Sequence, residues 1–236
     1  MADAPDLGSV AFGREGSTPS IRITIRNYEL GIRNEENFFG GGNFMKWFWL
    51  VLAAYIIGSI PVGLILGNLI WKKDLRRFGS RNIGATNAWR VLGRKAGLLV
   101  FALDFIKGQL GVLLGMCIIG TPAAMVLGGF VAIIGHVTSI FAGFRGGKGV
   151  ATGLGVLSIL MPKVMAIVFV VWFILVLITR YVSVGSVVAA VLTPILAAVF
   201  NVPNAYFAFA LAAAVLIVWR HRENIRRLRE GRENKI

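Results

Sequence analysis

Cysteine is all but missing from this sequence. Cys117 is the only one and lies in an apolar run, so neither a disulfide framework nor a cysteine-based metal cluster can form within one chain. Its expected place is that of a small apolar core residue. Histidine is almost as scarce, with His136 and His221 alone. No metal signature is present, and neither a metal nor an organic cofactor is expected. Acidic side chains number 11 against 25 lysines and arginines, giving a net charge of +14. Charged residues of both signs make up only 15% of the chain, whereas 56% is hydrophobic and the mean hydropathy is +0.74. That balance excludes an ordinary soluble domain, because several apolar runs approach the length needed to cross a hydrocarbon core of ~30 Å. A pI near 10.9 would suit a nucleic-acid binder. Here the cations flank apolar spans, where membrane orientation and anionic lipid or substrate account for them; no nucleic acid is expected as a partner.

The apolar runs predict an all-α membrane protein, a bundle of about seven transmembrane helices at about 47–71, 96–119, 123–141, 150–161, 164–179, 182–200 and 205–219. Trp47 and Trp71 bracket the first run as interfacial anchors. Gly58, Pro61, Gly63 and Gly67 within it permit close helix contact and a kink. Residues 72–95 form the longest polar loop of the core, with Lys72, Lys73, Arg76, Arg77, Arg81, Arg90, Arg94 and Lys95 against one acid, Asp74. Under the positive-inside rule this loop is cytoplasmic. Alternation then puts the N-terminus outside and the C-terminus in the cytoplasm, and Lys163 is the only cation in the three outer turns at 120–122, 162–163 and 201–204. The run 150–161 is short for a full crossing and reads as a partial helix. Residues 1–44 have a different character. They are polar, with one alternating segment at 20–28 (SIRITIRNY) that reads as a β-strand, a glycine linker at 40–42 and no signal-peptide pattern. Met45-Lys46-Trp47 resembles a translation start. The segment 1–44 therefore reads as an extension or fusion, partly β-like or disordered and without a part in the chemistry, ahead of a membrane domain at 45–236.

Two polar stretches carry the chemistry. The first, FAGFRGGKGVAT (141–152), sets Gly143, Gly146, Gly147 and Gly149 around Arg145 and Lys148. Glycines let backbone N–H groups approach a ligand, and cations among such groups make an anion nest whose usual guest is phosphate. It is not a Walker A loop, which needs Gly where Ala142 stands and Ser or Thr where Gly149 stands. The second stretch, GSRNIGATNAWR (79–90), gathers Ser80, Asn82, Thr86 and Asn87, hydroxyl and amide groups of the kind that position an oxyanion or a polyol. Thr86, Asn87 and Arg90 fall on one side of a starting helix. Asp104 and Lys107 are expected to pair with each other inside a span, and His136, bordering the glycine loop, is a candidate for function. Both loops and the basic tail share the cytoplasmic face, as an active site drawing on cytosolic metabolites requires. A membrane transporter for phosphate-bearing anions is the alternative. Polar motifs gathered at one face, without an internal repeat, favour an interfacial enzyme.

Three segments, GSRNIGATNAWRVLGRKAG (79–97), GHVTSIFAGFRGGKGVATGLG (135–155) and HRENIRRLREGRENKI (221–236), resemble the three signature regions of the bacterial acyl-phosphate-dependent glycerol-3-phosphate acyltransferases. The resemblance covers the membrane portion, 45–236. It implies a multi-pass enzyme of the bacterial cell (inner) membrane, working among membrane lipids as a monomer with its active site facing the cytoplasm. Such an enzyme begins phospholipid synthesis. It moves a fatty acyl group from acyl phosphate to the 1-hydroxyl of sn-glycerol 3-phosphate, giving lysophosphatidic acid and phosphate. Two departures stand out: Arg145 where Lys is common, and Thr138-Ser139 in a segment that often holds Pro. The H-x-x-x-x-D motif of another acyltransferase class is absent, since Phe141 follows His136 and Arg226 follows His221 at that spacing. No conventional His–Asp base is visible, and an activated anhydride needs mainly positioning and charge stabilisation. On this reading Arg90 and Lys148 bind phosphate, helped by Arg145 and the backbone of Gly146, Gly147 and Gly149. Ser80, Asn82, Thr86 and Asn87 orient the substrate or the oxyanion, and Asn224 in the tail completes the site. The substrate's own phosphate takes the proton, with His136 as the rival general base.

Overall fold

A computed structural model of the chain describes residues 41–236, which fold into helices joined by short loops. The strand expected at 20–28 and most of the N-terminal extension lie outside the described residues. Helix α1 (Gly41–Ser59) starts inside the expected glycine linker, taking up Gly41 and Gly42 ahead of the apolar run. Pro61 has no N–H to continue the ladder, so the chain breaks and resumes as α2 (Val62–Leu69). The two together form one apolar stretch, Asn43–Leu69, long enough for a span.

After a polar loop come α3 (Ala85–Leu92), α4 (Arg94–Ile118) and α5 (Pro122–Val137). Helix α5 starts where its sequence directs: Thr121 Oγ1 accepts from Ala124 N at 3.2 Å, and Pro122 occupies the first turn, where a missing N–H costs nothing. The chain continues through α6 (Val150–Leu160), α7 (Pro162–Thr179), α8 (Val182–Val199), α9 (Asn204–Arg220) and α10 (Arg222–Arg229). Among the described residues five stretches are long and apolar enough to cross a membrane, and the α9–α10 pair, bent by 51°, makes a sixth if counted as one. Helix α6 is apolar but has only 11 residues, roughly 16 Å of rise. The tail, which carried no helix expectation, forms the short amphipathic α10.

Helix α4 is the post around which the others stand, packing against α1, α3, α5 and α6. In lipid no hydrophobic force drives helices together, so association depends on close van der Waals packing at small residues. A Cβ at Gly108 of α4 would lie 2.1 Å from the Thr152 carbonyl oxygen of α6, and one at Gly155 of α6 would lie 1.9 Å from that of Phe105 in α4. Gly111 and Gly128 make the same kind of approach between α4 and α5. The apolar core, with Val112, Ile133, Val156, Val164, Val168 and Phe209 at its heart, fills the space between these helices and α7 and α9. Cys117, expected in the core, is exposed on α4, in keeping with a bundle whose outer surface is also apolar. Asp104 and Lys107 form the expected ion pair at 2.8 Å, buried on α4. Lys107 also donates to the Ile60 carbonyl at 3.1 Å, at the α1–α2 break.

Gly155→Ala should therefore force the α4–α6 contact apart and lower the melting temperature of the detergent-solubilised protein by several degrees, the cost of overpacking being about 1–3 kcal/mol. Gly153→Ala on the same helix meets its first neighbour only at 3.6 Å and should melt as the parent does. Equal melting of the two variants would show that this approach does not hold the bundle.

Candidate active site

At one end of the bundle the polar loop, the 143–149 loop, the start of α8 and the tail enclose a cavity of about 90 Å³. Ser80, Asn82, Thr86, Asn87, Arg90, Lys148 and Asn224 all line it, as do His136 and Asp104. Eight of the sequence-nominated residues thus meet, drawn from segments far apart in the chain.

The polar loop is built around one carboxamide. Asn87, fully buried on α3, accepts from Ser80 N at 2.9 Å through Oδ1 and donates through Nδ2 to the carbonyls of Leu75, Phe78 and Asn82. Gly79 takes a φ of +58°, and a Cβ there would lie 2.4 Å from Asn87 Oδ1; only glycine lets the loop close so tightly. Asn82 Oδ1 accepts from Gly84 N at 2.9 Å just before α3 begins. Asn87, expected to orient substrate, therefore spends its amide on shaping the loop that presents Ser80, Asn82 and Thr86.

The glycine loop differs from the expected nest. Gly146 N donates to the Val137 carbonyl at 3.1 Å and Gly147 N to the His136 carbonyl at 3.0 Å. Those carbonyls are orphans at the C-terminal end of α5 and need donors. A Cβ on Gly146 would lie 1.9 Å from the His136 carbonyl oxygen, and one on Gly147 would lie 2.0 Å from His136 Nε2. These two glycines serve close backbone approach, their N–H groups point at α5, and neither they nor Gly149 line the cavity. Arg220 Nη2 reinforces the tuck by donating to the Gly147 carbonyl at 3.1 Å. Arg145 is also placed elsewhere: it is exposed and lines a separate depression with Asp74, Arg76 and Arg77.

Lys148 alone of this loop reaches the cavity. Its Nζ donates to Asn224 Oδ1, whose Nδ2 donates in turn to Glu233 Oε1 at 2.6 Å. Burial pulls the ammonium down from its usual 10.5 to about 8. The charge of Glu233 opposes that fall, while Arg227, Arg90 and Arg220 add to it. Arg90, half-buried, donates from Nη2 to the Asn234 carbonyl at 2.7 Å and from Nε to that of Lys235 at 3.2 Å. His136 Nδ1 lies 3.5 Å from Asp104 Oδ1. A His–Asp pair thus exists after all, formed across α5 and α4 where no linear motif could reveal it. The pair sits in the cavity wall, and its Nε2 faces the Gly147 backbone. Ser183, His221 and Glu233 line the cavity too and were not nominated. No sequence signal separated them: Glu233 is one of three acids in the basic tail, with Glu223 and Glu230.

Beside this cavity, and sharing Thr86, Phe101, Trp172 and Val182 with it, runs an apolar groove of about 360 Å³ between α3, α4, α7 and α8, walled by Trp89, Leu98, Phe169, Phe173 and Leu177.

A helical bundle with lipid-length apolar helices, whose cationic pocket opens into an apolar groove, defines a membrane protein that handles an amphiphilic anion. A family model described as glycerol-3-phosphate acyltransferase matches residues 48–231. The glycerol-3-phosphate acyltransferase 2 of Moorella thermoacetica is 43% identical over 190 residues, covering 80% of this chain and 97% of that protein. That of Carboxydothermus hydrogenoformans is 44% identical over 185 residues, covering 78% and 94%. Among solved structures, the crystal structure of PlsY (YgiH), an integral membrane glycerol 3-phosphate acyltransferase, in its glycerol 3-phosphate form superposes with a TM-score of 0.77 at 41% identity, covering 80% of this chain and 95% of that one. Its lysophosphatidic acid form gives 0.74 at 39% identity. This chain belongs to the glycerol-3-phosphate acyltransferase family and is an acyltransferase.

Placement of the side chains separates two substitutions. Asn87→Leu removes the hydrogen bonds that shape the loop and should lower kcat/KM for glycerol 3-phosphate by roughly tenfold or more. Arg145→Gln, outside the cavity, should stay within about twofold of the parent, since a lone exposed charge contributes little. Kinetics on the purified variants check both, and the reverse ranking would refute the assignment.

Proposed function

We propose that the enzyme takes its acyl group from acyl phosphate and delivers it to the 1-hydroxyl of sn-glycerol 3-phosphate inside the cationic cavity. The observation that carries this reading is the continuity between the cavity and the apolar groove. One end suits phosphate, the other an acyl chain, and Thr86, Phe101, Trp172 and Val182 stand where the two meet. Lys148 and Arg90 hold the phosphate of glycerol 3-phosphate, aided by Asn224. Ser80, Asn82 and Thr86 orient the glycerol hydroxyls and the reacting carbonyl. The 1-hydroxyl oxygen attacks the acyl carbon, the C–O bond to the leaving phosphate breaks, and the hydroxyl proton passes to the phosphate of the substrate. The products are 1-acyl-glycerol 3-phosphate and inorganic phosphate. His136 has a structural part in this scheme. With Nδ1 toward Asp104 and Nε2 against Gly147, it buttresses the loop that carries Lys148.

The same reading gives the chain seven crossings in the bacterial cell membrane, with the N-terminal end outside, the C-terminal end cytoplasmic and the site open to the cytoplasm, as a monomer. Its support is the meeting of residues 79–90, 148, 183 and 224 in one cavity. For the loops before α6 and after α7 to share a face, α6 and α7 must go out and return.

Purified protein should release phosphate from acyl phosphate only when glycerol 3-phosphate is present. Transport of either anion across vesicles without that release would favour the transporter instead. Lys148→Ala should raise KM for glycerol 3-phosphate roughly ten- to a hundredfold. The pH dependence follows from the ammonium: it is charged below about 8 and neutral above, so kcat/KM should fall as pH rises through that value. A profile flat to pH 10 would refute the role. His136→Gln should keep most of its kcat, whereas a loss of roughly a thousandfold would mark it as the general base.

A further inference from the structure

Glu233 lines the phosphate pocket, and nothing in the reaction above uses it. Its side chain is 2% exposed. It accepts from Ser183 Oγ at 3.0 Å, Asn224 Nδ2 at 2.6 Å and Arg227 Nε at 2.8 Å. Three elements therefore converge on one carboxylate: the start of α8, helix α10 and the tail itself. The tail is held on its other side by Arg90 and by Ile236 N, which donates to the Arg180 carbonyl at 3.0 Å.

Asn224 stands between Glu233 and Lys148. An amide has a donor end and an acceptor end. With a carboxylate on one side and an ammonium on the other, only one orientation makes two hydrogen bonds; the flipped amide would set like against like at both. We propose that Glu233 is a positioning residue of the acyl-transfer reaction: its carboxylate fixes the Asn224 amide, and through it the Lys148 ammonium, in the orientation that receives the phosphate of glycerol 3-phosphate. This rests on the phosphate pocket proposed above.

Charge adds a second handle. The groups acting on Lys148 are Arg90 from α3, Arg220 from α9, Arg227 from α10, His221 between the last two helices, and Glu233 from the tail. Glu233 is the only anion among them. Neutralising it removes the one charge that favours the proton on Lys148, so the alkaline fall in kcat/KM must move to lower pH. A residue that merely tied the tail down would leave that limb in place.

The experiment compares the parent, Glu233→Gln, Glu233→Asp, Ser183→Ala and Lys148→Ala as full chains in detergent, with melting curves as a control. Glu233→Gln should raise KM for glycerol 3-phosphate roughly tenfold, the scale of one hydrogen bond to a charged group, with a smaller change in kcat and the alkaline limb at lower pH. Glu233→Asp, which keeps the charge, should recover the position of the limb. A folded Glu233→Gln with the parent's KM and limb overturns the proposal, as does a loss confined to kcat with the limb unmoved. Where Glu233→Gln fails to fold, Ser183→Ala decides, since it removes one of the three hydrogen bonds to the same carboxylate: a raised KM supports the proposal and unchanged kinetics overturn it. Lys148→Ala with unchanged KM would instead sink the pocket assignment itself, whatever Glu233 does.

Discussion

Taking an ammonium out of water costs several kcal/mol unless other groups replace its hydration, and the end of this bundle is arranged to do that for Lys148. Arg90, Arg220 and Arg227 crowd the region around it, and burial works against the charges of Lys148, Arg90 and Arg220. What answers them is the Asn224 amide and the buried carboxylate of Glu233. Burial by itself would push that carboxyl upward, but hydrogen bonds from Asn224, Arg227 and Ser183 and the nearby arginine charge outweigh it and hold it below its ordinary range. The pocket thus sets the Glu233 carboxylate among the cations Arg90, Lys148, Arg220 and Arg227. In the reaction proposed here, an incoming phosphate meets donors already partly withdrawn from water, where charge–charge attraction is strong.

The membrane bundle could be read from the chain because apolar runs and basic loops report directly on solvent, lipid against water. The site residues of the polar loop could be read for a related reason. Ser80, Asn82, Thr86 and Arg90 sit within a few residues of one another, and helical spacing puts Thr86 and Arg90 on one side. The glycine loop was legible as special but not as to purpose. Glycine admits a ligand, a positive φ or another backbone, and a linear sequence does not say which. At Gly146 and Gly147 the neighbour is the end of α5. The His136–Asp104 contact was hidden for a similar reason, since it forms between two helices and depends on their rotation. Glu233 was masked by composition, one of three glutamates in a tail rich in arginine, with nothing to set it apart from Glu223 and Glu230.

Close packing and chemistry are joined through α4. Its glycines let α6 approach until backbone touches backbone, and Lys148 stands just ahead of α6. The same helix carries Asp104 and Lys107, which couple it to His136 on α5 and to the α1–α2 break. Inside this apolar bundle, Asp104, Lys107 and His136 thus link α4 to α5 and to the α1–α2 break.

Arg90 joins the fold to the proposed phosphate site. A guanidinium has five N–H donors in a rigid fork. Arg90 gives Nε and Nη2 to the carbonyls of Lys235 and Asn234, which holds the tail over the site. The remaining edge is free of those bonds and belongs to a residue that lines the cavity. A lysine in its place could not meet the tail and an anion at once with fixed geometry. In the reaction proposed here Arg90 also binds phosphate, so one guanidinium holds both the tail and the substrate.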